Sequence, residues 1–260
     1  MKPLRGTFRK VPEITAFFWI LKVLTTAMGE ATSDYSVRQI DPYLAVALGA
    51  VAFAAALTLQ LSVRRYIAWA YWLTVVMVAI LGTMVADALH IQLGVPYAVS
   101  TVGFAIVLTL VFIAWYVTER TLSIHRISTL RRELFYWATV CATFALGTAA
   151  GDMTAITLHL GFLASGFSFA AVIAVPALAH RFAHLGAVAS FWLAYIVTRP
   201  LGASFADWMG VPHALGGLDW GRGTVSVILT IFIVLLVGYL SLTRVDIDDE
   251  REGPLAEERA

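Results

Sequence analysis

Four aspartates carry the first chemical signal in this chain. Asp34, Asp87, Asp152 and Asp207 each follow a tryptophan by fifteen residues, the tryptophans being Trp19, Trp72, Trp137 and Trp192. A glycine stands at a fixed place between them, at Gly29, Gly82, Gly147 and Gly202, so the pattern W-x9-G-x4-D occurs four times without a gap. Four carboxylates brought together by such a repeat cannot all ionise without a cation or shared protons. A ring of acids suits a hard or borderline divalent cation with oxygen ligands, which makes the four aspartates candidate metal and substrate ligands. The local alternative is that each aspartate caps the turn that follows it.

Three more charges stand inside apolar runs. Lys22 and Glu30 lie three and eleven residues after Trp19, and Arg199 lies seven after Trp192, followed by Pro200. Ionisable groups in such runs are costly and point to function. If repeats one and four are neighbours, Arg199 sits in depth between Lys22 and Glu30, about 6 Å from each level. A Glu30–Arg199 ion pair is then expected across the closing seam, either holding it shut or serving as a gate or proton relay. Pro200 removes a backbone donor and is a candidate kink.

His90, His159 and His213 follow three of the aspartates by three, seven and six residues and could add nitrogen ligands. No two histidines lie deep in a run where they could hold a haem from both faces. There is no H-E-x-x-H, no G-x-S-x-G and no phosphate-binding glycine loop, so the chain does not read as an enzyme. Cys141, the one cysteine, is read as a small core residue.

The elements that must position these groups follow from composition. The 260 residues are 60% apolar and 13% charged, with a mean hydropathy of +0.80. A soluble domain has about 25% charged residues, so the bilayer must be the solvent. A net charge of +1 gives no electrostatic case for nucleic acid. Eight apolar runs are long enough to span as helices, near 14–33, 42–63, 67–88, 97–118, 134–156, 162–180, 185–206 and 223–243. The first is read as repeat one and not as a leader, because it carries Lys22 and Glu30.

Fourteen of the basic residues fall in the tails and in alternate loops on one side, against Arg38 and Arg222 on the other. By the positive-inside rule both termini are expected in the cytoplasm. Each repeat holds two spans, so all four enter the membrane in the same orientation. The expected fold is an all-α polytopic membrane protein: eight transmembrane helices as four parallel two-helix repeats in a pseudo-fourfold bundle. The divisions are a cytoplasmic N-tail (1–13), repeats over 14–63, 64–118, 119–180 and 181–244, and a disordered acidic tail (245–260).

Within each repeat the glycine and the small residue four further on (Ser33, Ala86, Gly151 or Ala206) form a face that lets helix backbones approach. The first helix of each repeat is therefore expected on the inside. The tryptophans read first as an aromatic belt at the membrane surface, and otherwise as wedges between repeats. The aspartates fall about 22 Å along the helix from the tryptophans, near its outer end.

The opening Lys10-Val11-Pro12-Glu13-Ile14-Thr15, with Phe18-Trp19, Lys22, Thr25-Thr26, Gly29-Glu30 and Ser33-Asp34, resembles that of a group of bacterial membrane-anchored proteins. These are made of four tandem copies of a repeat of unknown function, each with two transmembrane regions and a tryptophan. The resemblance covers about residues 10–244 and implies the architecture, not an activity.

The resulting expectation is a small transporter in a bacterial inner membrane, moving a small cation such as a divalent metal along the bundle axis. Asp34, Asp87, Asp152 and Asp207 would form the outer site, and Glu30, Arg199 and Lys22 the inner gate. No cofactor is indicated, the partners are lipid and cation, and a homo-oligomer is allowed. The rival is a non-transporting membrane scaffold or partner-binding protein, in which every motif is a packing device.

Overall fold

The structure is a computed structural model that describes residues 9–247. The described residues form eight α-helices: α1 (Ala16–Gln39), α2 (Pro42–Ser62), α3 (Ala68–Asp87), α4 (Tyr97–Glu119), α5 (Leu130–Asp152), α6 (Gly161–Phe182), α7 (Ala187–Gly210) and α8 (Arg222–Thr243). Among the described residues there is no strand. Helices α3 and α5 widen into single π turns, Ala88–Gln92 and Met153–Thr157, directly after Asp87 and Asp152. The first run extends to Gln39, beyond its expected end at 33, and α7 passes through Pro200 as one helix.

The odd helices form a closed inner ring, α1 against α3, α3 against α5, α5 against α7 and α7 back against α1. The even helices lie outside it, each packed chiefly on the inner helix of the next repeat: α2 on α3, α4 on α5, α6 on α7 and α8 on α1. The repeat of the sequence is thus one helix out of phase with the unit of packing, and α8 closes the circle.

The sequence explains the two layers. The outer helices are apolar all round and bury only a few residues each, such as Ala45, Ala56 and Gln60 of α2. They leave Leu48, Val51, Ile106 and Val234 exposed, as lipid-facing helices do. All four outer helices, and α3 and α5 with their π turns, are long and apolar enough to cross a membrane. Helices α1 and α7 hold 24 residues each, but α1 carries Lys22, Glu30, Asp34 and Arg38, and α7 carries Arg199 and Asp207. Those charges lower their hydropathy, and all but the exposed Arg38 face the ring.

The four glycines set the inner ring. A methyl group on Gly29 would collide with Ala79, on Gly82 with Phe144, on Gly147 with Arg199 and on Gly202 with Thr26. Each of those neighbours stands seven residues after the tryptophan of the next repeat, and the fourth contact returns to the first. Close backbone approach at small residues is what holds helices together where lipid competes for apolar contact.

The tryptophans correct the belt reading. Trp72, Trp137 and Trp192 are buried, and Trp19 is half-buried. Each is packed by the aromatic residue that precedes the tryptophan one repeat earlier. Ring centroids are 5.8 Å apart for Phe18–Trp72, 5.6 Å for Tyr71–Trp137, 6.1 Å for Tyr136–Trp192 and 5.7 Å for Phe191–Trp19. They are wedges between repeats. An aromatic pair in this range contributes about 0.5–1.5 kcal/mol beyond its buried area.

The chain ends also differ from simple tails. Lys10 Nζ donates to Glu133 Oε2 at 2.6 Å, and Gln60 Nε2 donates to Glu133 Oε1 at 3.1 Å, with Glu133 fully buried. Tyr66 donates its hydroxyl to Asp246, whose backbone carbonyl accepts from Glu13 N. Asp246 is buried and Ile247 packs on the core, so these two residues belong to the fold and not to a solvated tail. The remaining acidic tail, 248–260, lies outside the described residues, as do residues 1–8.

Candidate functional site

Inside the ring, each inner helix presents a row of residues spaced by four, each one turn from the next along a ridge that winds slowly around the helix. Counted from the tryptophan, the row holds positions −1, +3, +7, +11 and +15. The −1 layer, at the Trp end, is aromatic: Phe18, Tyr71, Tyr136 and Phe191, with Tyr71 and Tyr136 hydrogen-bonded through their hydroxyls.

At +3 stands Lys22. It is buried, and its Nζ lies 4.0 Å from the ring centroid of Phe144 and 4.2 Å from that of Tyr195. No hydrogen-bond partner reaches that nitrogen among the described residues. Cation–π contact is the interaction the site offers it.

Arg199, at +7, reaches toward the Asp end by one turn. Its Nη2 donates to Glu30 Oε2 at 2.6 Å, to Thr148 Oγ1 at 2.7 Å and to Thr83 Oγ1. Glu30, Thr83 and Thr148 are the +11 residues of repeats one, two and three, so one nitrogen is held by all three other repeats. The fourth +11 residue is Ala203, on the arginine's own helix. Both members of the Glu30–Arg199 pair are buried. Removing either partner from such a pair costs about 3–5 kcal/mol, because the other charge is left uncompensated.

The +15 layer is the set of four aspartates. Carboxylate oxygens of Glu30, Asp34 and Asp87 lie within 4.8 Å of one another. Asp152 and Asp207 each feel the charge of Glu30 and Asp34, and Asp87 feels that of Asp152. Asp34 also pairs with Arg222 at the start of α8. Among the described residues, none of the four carboxylates accepts a hydrogen bond from its own loop, and Asp87 and Asp152 make no side-chain capping bond. Local capping is left to Asp41, which accepts from Tyr43 N and Leu44 N at the start of α2.

The histidines stand apart from this site. His90 Nδ1 bonds the Val95 carbonyl and His213 Nδ1 the Gly217 carbonyl, each within its own loop. His159 is exposed at a left-handed backbone position. They do not join the close acidic group. Thr83 and Thr148 do join the site, and were not among the expected residues. Their signal was a shared repeat offset with Glu30, polar in three repeats of four.

A sequence model described as Repeat of Unknown Function (DUF347) matches the chain four times, over residues 17–66, 70–121, 135–184 and 190–246. The chain belongs to that family. Each match begins within two residues of a repeat tryptophan and runs through one inner and one outer helix. No curated protein and no solved structure matches the chain.

Proposed function

We propose that the protein is a small transporter of a small cation, a divalent metal being one candidate, in a bacterial inner membrane. In this reading all eight helices span, and both chain ends lie in the cytoplasm together with the Trp end of the ring. The spread of basic residues supports that orientation. The position of α1 and α7 in one ring with α3 and α5 supports the eight-span count.

One observation carries the proposal: carboxylate oxygens of Glu30, Asp34 and Asp87, from two neighbouring inner helices, lie within 4.8 Å of one another at one end of the ring. Arg199 pairs with Glu30 and Arg222 with Asp34 there, and Asp152 and Asp207 stand near the same ends of α5 and α7. An uncompensated acidic set at the mouth of a bundle raises the local concentration of cations. Arg199 on Glu30 is the lock beneath it, and the aromatic layer closes the Trp end. Passage requires both to yield, by rocking of repeats across the glycine contacts.

The rival scaffold reading has an observation on its side, since the axis below Arg199 is filled with side chains. Cation flux into liposomes containing the purified protein separates the two. Transport predicts saturable flux that Asp152→Asn and Asp207→Asn reduce about tenfold or more. Absence of flux for every cation tried, with all three proteins folded, leaves the scaffold.

A further inference from the structure

We infer that the oxygens around Arg199 Nη2 are the inner binding site of the cation, and that the guanidinium is a tethered occupant which the cation displaces. The inference deepens the transport reading and rests on it for the direction of travel, but the site can be tested without flux.

The ring of oxygens fits an ion better than it fits an arginine. Three oxygens from three helices surround one nitrogen: Glu30 Oε2, Thr83 Oγ1 and Thr148 Oγ1. That nitrogen carries two hydrogens, so three acceptors cannot each receive one of their own. A hard cation has no such limit and takes oxygen ligands at about 2.0–2.6 Å.

The threonines are turned to act as acceptors. Thr83 Oγ1 donates to the Ala79 carbonyl at 3.0 Å, and Thr148 Oγ1 to the Phe144 carbonyl at 3.1 Å, each one turn back on its own helix. The longer contact from Thr83 to Glu30 Oε2, at 3.4 Å, is the weaker use of that proton. With their hydrogens spent on the backbone, both hydroxyls leave lone pairs on the axis.

Arg199, meanwhile, is poorly satisfied where it lies. It is 0% exposed and its guanidinium carbon lies 5.5 Å from the Phe144 ring centroid, yet its Nε and Nη1 have no hydrogen-bond partner among the described residues. A buried unpaired donor destabilises its own placement. A competing cation therefore displaces an occupant that is only partly hydrogen-bonded. Glu30 also supplies the route in. Its carboxylate belongs both to this ring and to the close group with Asp34 and Asp87, so a cation can move inward without leaving Glu30.

The test uses the full chain purified in detergent, with the chlorides of Na+, K+, Mg2+, Ca2+ and Mn2+ added singly to a choline buffer. Thermal unfolding and titration calorimetry are read. Arg199→Met is expected to unfold earlier than wild type without these ions. One of them should restore it, and should bind about tenfold or more tighter than to wild type. Adding Thr83→Val and Thr148→Val to that variant should abolish the effect. Restoration by no cation, or equal restoration in the triple variant, overturns the inference. If Arg199→Met does not fold, Thr83→Val/Thr148→Val in the wild-type background decides. Affinity about tenfold lower supports the site, and unchanged affinity overturns it. Flux unaltered by the threonine changes also overturns the site while transport stands. Cation binding with the expected pattern but no flux upholds the site and removes the transport reading.

Discussion

Gly147 lies beneath the stem of Arg199, so close that a methyl group there would fall 2.6 Å from Arg199 Cβ and 2.9 Å from Pro200 Cδ. The absent side chain is what lets α7 deliver a guanidinium to the ring's axis. Gly147→Ala is expected to lower stability by about 1–3 kcal/mol through overpacking at the α5–α7 seam. The unfolding midpoint in detergent measures it. Gly103→Ala on α4, where nothing lies within 4 Å, is the control and should leave the midpoint unchanged or raised.

The buried pair between Glu30 and Arg199 predicts a non-additive result. Arg199→Met and Glu30→Gln should each cost about 3–5 kcal/mol in choline buffer, since each strands one charge or donor set. The double variant should recover more than half of the larger loss. A double-mutant cycle by chemical unfolding checks this, and additive losses would deny the coupling.

In the aromatic layer the Tyr71 and Tyr136 hydroxyls bond each other in a buried setting. Tyr71→Phe and Tyr136→Phe should each cost about 1 kcal/mol by leaving one hydroxyl unpaired. The double change should cost less than the sum, because neither hydroxyl of the pair is left behind to be orphaned. Unfolding midpoints of the three variants give the comparison.

At the Trp end, beyond α8, burial pushes the Asp246 carboxyl above its usual range, although the Tyr66 hydroxyl and a backbone hydrogen bond pull it down. A raised carboxyl favours the folded state when protonated. Its contribution is present at low pH and lost as pH rises through the folded-state value. The stability of wild type relative to Asp246→Asn should therefore fall as pH rises through and above the ordinary carboxylate range, about pH 4. A constant difference across that range would show that the buried carboxyl does not titrate.

The repeat made much of this architecture readable. Because Trp, Gly and Asp recur at fixed offsets, the inner and outer helices, the glycine contacts and the meeting of Glu30 with Arg199 all followed from one assumption of closure. What did not follow depends on azimuth. Spacing gives the depth of Trp72 or Trp137 in the membrane, and depth alone cannot tell a belt residue from a wedge. The packing of each outer helix on the next repeat was hidden for the same reason, since α2 is apolar on every side and its sequence names no partner. The π turns after Asp87 and Asp152 carry no mark in composition. Asp246 looked like the first of a solvated acidic run, and only the chain's return to Tyr66 and Glu13 buries it.

The central claim is that Asp34, Asp87, Asp152 and Asp207 act as one cation site. Calorimetric titration of the purified protein with the same cations, across four single Asp→Asn variants, tests it most directly. The account predicts saturable cation binding in wild type, weakened about tenfold or more by each of the four changes, about 1.4 kcal/mol apiece. Binding that depends on one aspartate and is untouched by the other three, or no saturable binding of any cation, would contradict it.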